Sequence, residues 1–177
     1  MPTRKFAFGH KPCGIVLLLA VLYPVLARAD SRVLAQSQPL SNYADPLKAK
    51  AKRFVEYGQD FVNFAKAASG TQGFEQLAEY EAATTLQSVA GETSDKLRAA
   101  ITLLQVYSAL SCEEDRSIVR RFVEREFRFY SQQIEISIDQ VNFSIAYTKR
   151  PGVAAEAGRM RDDLREVKNT LDSMKLQ

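Results

Sequence analysis

Histidine is nearly missing from this chain. Its one copy, His10, lies in the first 29 residues, beside an apolar run that reads as an export signal. A chain that loses that segment has no imidazole. Ser–His and Cys–His nucleophile pairs are then excluded, as are the Glu-x-x-His ligands of di-iron bundles and zinc sites built from His and Cys. Cysteine is scarce too. Cys13 falls in the same segment, which leaves Cys112 alone. A lone cysteine makes no intramolecular disulfide, so stability must come from packing. Cys112 reads either as a buried, inert thiol or as the site of a bond between chains. Tryptophan is absent, and the 8 glycines form neither a phosphate loop nor part of a Ca²⁺ loop pattern. No catalytic, cofactor-binding or metal-ligating residue can be named from such a composition.

The N-terminus carries a cellular route. Arg4, Lys5 and Lys11 make a positive start, Cys13 to Leu26 is an apolar run of 14 residues, and Ala27-Arg28-Ala29 offers small residues to a signal peptidase. This is the layout of a cleaved secretory signal over residues 1–29, with cutting before Asp30. A second cut can follow Val33-Leu34-Ala35. A run of 14 interrupted by Pro24 is short of the roughly 20 residues that span a bilayer, which counts against an uncleaved anchor. No later segment is long and apolar enough to span. Four of the 24 basic residues lie in the signal (Arg4, Lys5, Lys11, Arg28) and none of the 21 acidic ones, leaving 20 against 21. A near-neutral secreted or periplasmic chain is no candidate for nucleic-acid binding on charge grounds.

The rest reads as helix. Residues 30–44 are polar, with Pro39, and are expected as a flexible leader to a single domain over 45–177. Asp45-Pro46 opens a first helix, 45–69, whose stripe is Leu47, Ala51, Phe54, Gly58, Phe61, Ala65 and Ala68, widened by Val55 and Val62. Gly58 permits close approach of a neighbour, and Gly70 supplies a left-handed stop. A second helix, 74–90, has an alanine-rich stripe of Phe74, Ala78, Ala82, Leu86 and Val89, flanked by Leu77 and Tyr80, and Gly91 ends it. Thr93-Ser94-Asp95 then caps a third, 95–110, apolar nearly all round and therefore expected to be buried. The last helix, 153–174, has the cleanest pattern: Val153, Ala157, Met160, Leu164, Val167, Leu171 and Met174 alternate in steps of four and three. Such a stripe serves either a bundle contact within the chain or a coiled-coil pairing of two copies.

The stretch over 115–148 organises the chain. As one helix of about 34 residues it is roughly 50 Å long. It carries two apolar rows. One is Val119, Val123, Phe127, Tyr130, Ile134, Ile138, Val141 and Ile145; the other is Ile118, Phe122, Phe129, Ile136, Phe143 and Tyr147. Glu126, Gln133, Ser137, Gln140 and Ser144 lie between them. Both rows are expected to be buried in a central helix touching several others. Residues 132–148 also alternate with period two, so a β-hairpin competes there. Asp139-Gln140 makes a poor hairpin turn, however, and the seven-residue spacing from Phe122 to Phe143 runs through it unbroken. Pro151-Gly152 closes the helix. The expected fold is thus an all-α bundle of about five helices around a long central one.

Weaker constellations remain. Arg120, Arg121, Arg125 and Arg128 interleave with Phe122, Phe127 and Phe129, a pattern that binds anionic surfaces but also describes a solvated face with Arg120–Glu124 and Glu124–Arg128 pairs. Glu126, set between apolar rows, is a candidate buried charge. The carboxylates Glu75, Glu79, Glu81, Glu113, Glu114, Asp115, Asp162 and Asp163 are ordinary helix-surface groups unless two converge inside. Asn142-Phe143-Ser144 fits an N-glycosylation pattern, relevant only to a eukaryotic secretory route.

The functional expectation is a non-catalytic, secreted or periplasmic helical protein that binds another protein, as an adaptor, chaperone, inhibitor or assembly subunit. The stripe from Val153 to Met174 is its candidate partner surface, including pairing with a second copy through the last helix. A rival is a carrier of a lipid or apolar ligand, with Phe54, Phe61, Phe122, Phe127, Phe129 and Tyr130 lining a cavity. A carboxylate-based hydrolase comes third.

Overall fold

The computed structural model describes residues 38–69 and 73–176. The expected signal at 1–29, the expected cleavage before Asp30 and the expected helix stop at Gly70 lie outside these residues. Four helices follow in order: α1 (Gln38–Ser69), α2 (Phe74–Ala109), α3 (Glu113–Tyr147) and α4 (Pro151–Ser173). Connections of a few residues leave consecutive helices antiparallel neighbours. α1 packs on α2, α2 on α3, α3 on α4, and α4 closes back on α1.

The all-helical expectation is met; the count of five is not. Residues 74–109 form one helix of 36 residues, passing through Gly91 and Thr93-Ser94 without a break. Gly91 is exposed and costs about 1 kcal/mol of helix propensity relative to Ala, too little to end a helix whose other face is packed. Thr93 and Ser94 are buried rather than capping, and the Ser94 hydroxyl donates to the Ala51 carbonyl of α1 at 3.2 Å. Gly58 lies at the same interface, where a Cβ would meet Ala90 Cβ at 3.9 Å. Small residues on both helices therefore bring α1 and α2 close, and that packing carries α2 across its local stop signals.

The start of α1 is also corrected. Residues 38–44, expected in a flexible leader, are its first turns, and Pro46 lies inside it. Proline there removes one backbone donor, at a position early enough for the remaining turns to hold. The α1 stripe is otherwise as expected, with Leu47, Phe54 and Phe61 at most 1% exposed. Val55 faces solvent, and Tyr57 takes the buried flank instead.

The stretch over 132–148 is helix, not hairpin. Three acids, Glu113, Glu114 and Asp115, occupy the first turn of α3, where they complement the helix dipole. α3 stops at Tyr147 before reaching Pro151-Gly152. That pair opens α4, with Pro151 in its first turn, where a missing N–H costs nothing. Arg150, before the proline, is extended at φ −87° and ψ 113°. The turn is tied down by buried Glu79 of α2, which accepts hydrogen bonds from the Lys149 backbone N–H and from Thr148 Oγ1, the latter at 2.5 Å.

One hydrophobic core runs through all four helices, from Leu47, Phe54 and Phe61 through Leu86, Leu97 and Leu104 to Val123, Ile134, Met160 and Leu164. The segment 95–110, expected to be buried all round, is one-sided. Leu97, Ile101, Leu104 and Tyr107 are buried, while Arg98 and Gln105 are exposed.

Candidate interaction surface

The two apolar rows of α3 meet different fates. In the first, Val123, Phe127, Ile134, Ile138 and Val141 are buried, and Val119, Tyr130 and Ile145 pack against the core edge. In the second, Ile118, Phe122, Phe129, Ile136, Phe143 and Tyr147 are between 44% and 63% exposed. The expectation that both rows are buried is therefore overturned. α3 packs on α2 and α4, and both lie on the side of the first row. A helix flanked by two neighbours buries one sector, and the opposite sector is left to solvent whatever residues it carries.

The open row extends about 44 Å along α3 at 1.5 Å per residue. Phe143 and Tyr147 hold their ring centroids 4.3 Å apart near one end. Toward the other, the Arg125 guanidinium sits 5.2 Å from the centre of the Phe122 ring. Of the basic residues singled out, Arg121, Arg125 and Arg128 are exposed and Arg120 is half-buried. Arg120 Nε donates to the Tyr107 hydroxyl at 3.4 Å, and Arg128 Nε to the Glu124 backbone carbonyl at 3.3 Å. These bonds take the place of the carboxylate pairs with Glu124 expected from helical spacing. Glu126 is not a buried charge: its side chain keeps 25% of its exposure and pairs with adjacent Arg125 at 3.5 Å. The strip it belongs to lies at the boundary between the rows, with Ser137 and Ser144 on the buried side and Gln140 on the exposed one. Asn142 is exposed, in the middle of α3.

The last helix's stripe is in the opposite position. Val153, Ala157, Met160, Leu164, Val167 and Leu171 are 0–3% exposed and Met174 is 8%, all within the core shared with the other three helices. In this fold they offer no partner surface, and no second copy reaches them without displacing a helix of the same chain. Of the two uses weighed for the stripe, the intrachain contact is the one observed.

The flanks of α4 carry the ion pairs that hold it. Asp163 is bonded by Lys50 Nζ at 2.7 Å and by the Tyr57 hydroxyl at 2.8 Å, both from α1, and Lys50 also pairs with Glu166 at 2.5 Å. Burial pulls the Lys50 ammonium down, but its two carboxylate partners outweigh that and raise its pKa. Burial and the Asp163 carboxylate push the Tyr57 phenol up. On the other flank Asp172 accepts from Ser131 Oγ at 2.6 Å and from Lys168 at 2.9 Å, and these partners hold its carboxyl below the ordinary value. Lys168 also reaches Glu135 of α3 at 3.4 Å.

Chemically these clusters are saturated. Asp163 has both oxygens occupied by donors of α1, and Glu79 both of its oxygens by donors of the α3–α4 turn. Among the described residues no group of three or more His, Cys, Asp or Glu is placed to hold a metal ion, and no helix is long and apolar enough to cross a membrane. The six aromatics suggested for a lipid cavity are divided: Phe54, Phe61 and Phe127 pack in the core, Tyr130 sits at its edge, and Phe122 and Phe129 face solvent. No family model, curated protein or solved structure matches the chain.

Proposed function

We propose that this is a non-catalytic protein of the secreted or periplasmic space whose work is to bind another protein, and that the open row of α3 is the surface it uses. One observation carries the reading: six large apolar side chains stand exposed along a single helix face. Side chains of this size at about half exposure present roughly 600 Å² together, the upper end of the largest apolar patch on an ordinary monomer. Leaving that area in water opposes solubility unless a partner covers it. The N-terminal signal pattern supports the location.

A photo-crosslinking residue placed at Phe129 or Phe143 in the full chain, expressed in its own cells, tests the surface. Protein adducts are expected from these two positions and not from exposed Gln87 or Arg98 of α2. Adducts to lipid alone, or none from the row, would overturn the reading. N-terminal sequencing of the exported protein is expected to begin at Asp30.

A further inference from the structure

The open row has an internal symmetry that selects its partner. Phe122, Phe129, Ile136 and Phe143 are spaced by seven, and Ile118 and Tyr147 extend the two ends by four each. Reversing the direction of the helix about a point between Gln132 and Gln133 maps the row onto itself. Ile118 then opposes Tyr147, Phe122 opposes Phe143, and Phe129 opposes Ile136. A two-fold pairing of identical chains requires this kind of self-complementary face.

The charges beside the row obey the same operation. On a 100° helical wheel Arg121, Arg125 and Arg128 fall on one flank of the row's first half, and Glu135 and Asp139 on the same flank of its second half. Two antiparallel copies about the two-fold bring like flanks together, so Arg125 of one chain meets Asp139 of the other and Arg128 meets Glu135. Each pair occurs twice. A parallel, in-register pairing instead sets this flank against Glu126, Gln133 and Gln140, where a single arginine–carboxylate match is left. Arg125, Arg128, Glu135 and Asp139 are all exposed; Arg125 and Glu135 hold intrachain partners, Glu126 at 3.5 Å and Lys168 at 3.4 Å, which the pairing exchanges for groups of the other chain.

Resting on the reading that this row binds protein, we infer that its partner is a second copy of the chain, joined antiparallel along α3 with the two-fold axis at Gln132 and Gln133. Burying both rows removes about 1,200 Å² from water, the lower edge of a specific and stable interface, so the dimer forms and dissociates with concentration. Its exposed charge pairs set direction and register, and area supplies affinity.

Sedimentation equilibrium of the exported chain, beginning at Asp30, is expected to show a monomer–dimer equilibrium that Phe129→Asp abolishes with helical content unchanged. Arg125→Glu weakens dimerisation at least tenfold, and Asp139→Arg in the same chain restores it. Mixing Ile118→Cys with Tyr147→Cys chains, each in a Cys112→Ser background, gives mixed disulfides between the two variants under mild oxidation. Disulfides joining Ile118→Cys to itself would overturn the antiparallel register. A monomer at every concentration overturns the inference. The protein-binding reading survives that result if the photo-crosslinker at Phe143 captures a different protein, and falls with it if the adducts are to lipid or to this chain's own N-terminal residues.

Discussion

α4 and the open row of α3 carry apolar patterns of similar quality and opposite use. The α4 stripe, from Val153 to Met174, alternates in fours and threes and is buried along its whole length. The α3 row repeats in sevens, with larger side chains, and stands about half exposed. What separates them is the number of neighbours on each side. α4 presents its stripe to α1, α2 and α3 at once, whereas α3 meets α2 and α4 on the first-row side. Periodicity records that a helix face is apolar. It carries no information on whether the covering surface belongs to the same chain.

The largest effect that separates the two is on stability. Leu164→Ala in α4 removes a fully buried side chain and is expected to cost about 2–5 kcal/mol, read as a lower urea midpoint at unchanged m-value. Phe129→Ala in the open row is expected to shift monomer stability by less than about 0.5 kcal/mol. Equal losses at the two sites would erase the distinction between core stripe and open row.

A smaller effect tests the unbroken α2. Gly91 is exposed, and a Cβ there meets nothing within 4 Å. Gly91→Ala is expected to stabilise by about 0.5–1 kcal/mol in thermal or urea denaturation, because a continuous helix gains propensity at that position. Destabilisation would mean that residue 91 sits in a bend rather than a helix.

The smallest effect concerns the strap beside the α4 stripe. Ser131 and Lys168 hold the folded Asp172 carboxyl below its ordinary 3.8. A carboxyl with a depressed folded pKa contributes stability that is fully present above the unfolded value and is lost as pH falls through the folded one. Wild-type protein is therefore expected to lose stability more steeply below pH 3.8 than Asp172→Asn, with little difference in slope above it. Identical acid limbs would remove this strap from the forces that seat α4.

Much of this architecture could be read before any coordinates. Helix type followed from apolar periodicity, and the ends of α3 and α4 fall within two residues of the positions set by the acidic start, Pro151 and the last apolar steps. That Gly58 permits a close approach was legible from its place on the stripe, but that Ala90 is the neighbour was not. The unity of α2 was not. Gly91 and Thr93-Ser94 have the chemistry of a stop and a cap, and the packing of α1 on α2 around Ser94–Ala51 and Gly58–Ala90 overrides it. Glu79 was equally silent: nothing in its spacing announces that it will bond a turn 70 residues further on. As for the interaction surface, its six residues stood out as a row, but their exposure depends on which helices α3 touches, a property of the assembled bundle.

The order in which the helices pack has a consequence for how the chain folds. α1 docks chiefly on α2, α3 packs on α2 and α4 to a similar extent, and each of these neighbours is joined across a few connecting residues. Lys50 and Asp163, by contrast, meet across 113 positions. Loop-closure entropy makes the near contacts cheap and the far one slow. Contacts between consecutive helices are thus expected to form first, and the Lys50–Asp163 clasp between first and last helices to close the bundle as a late event.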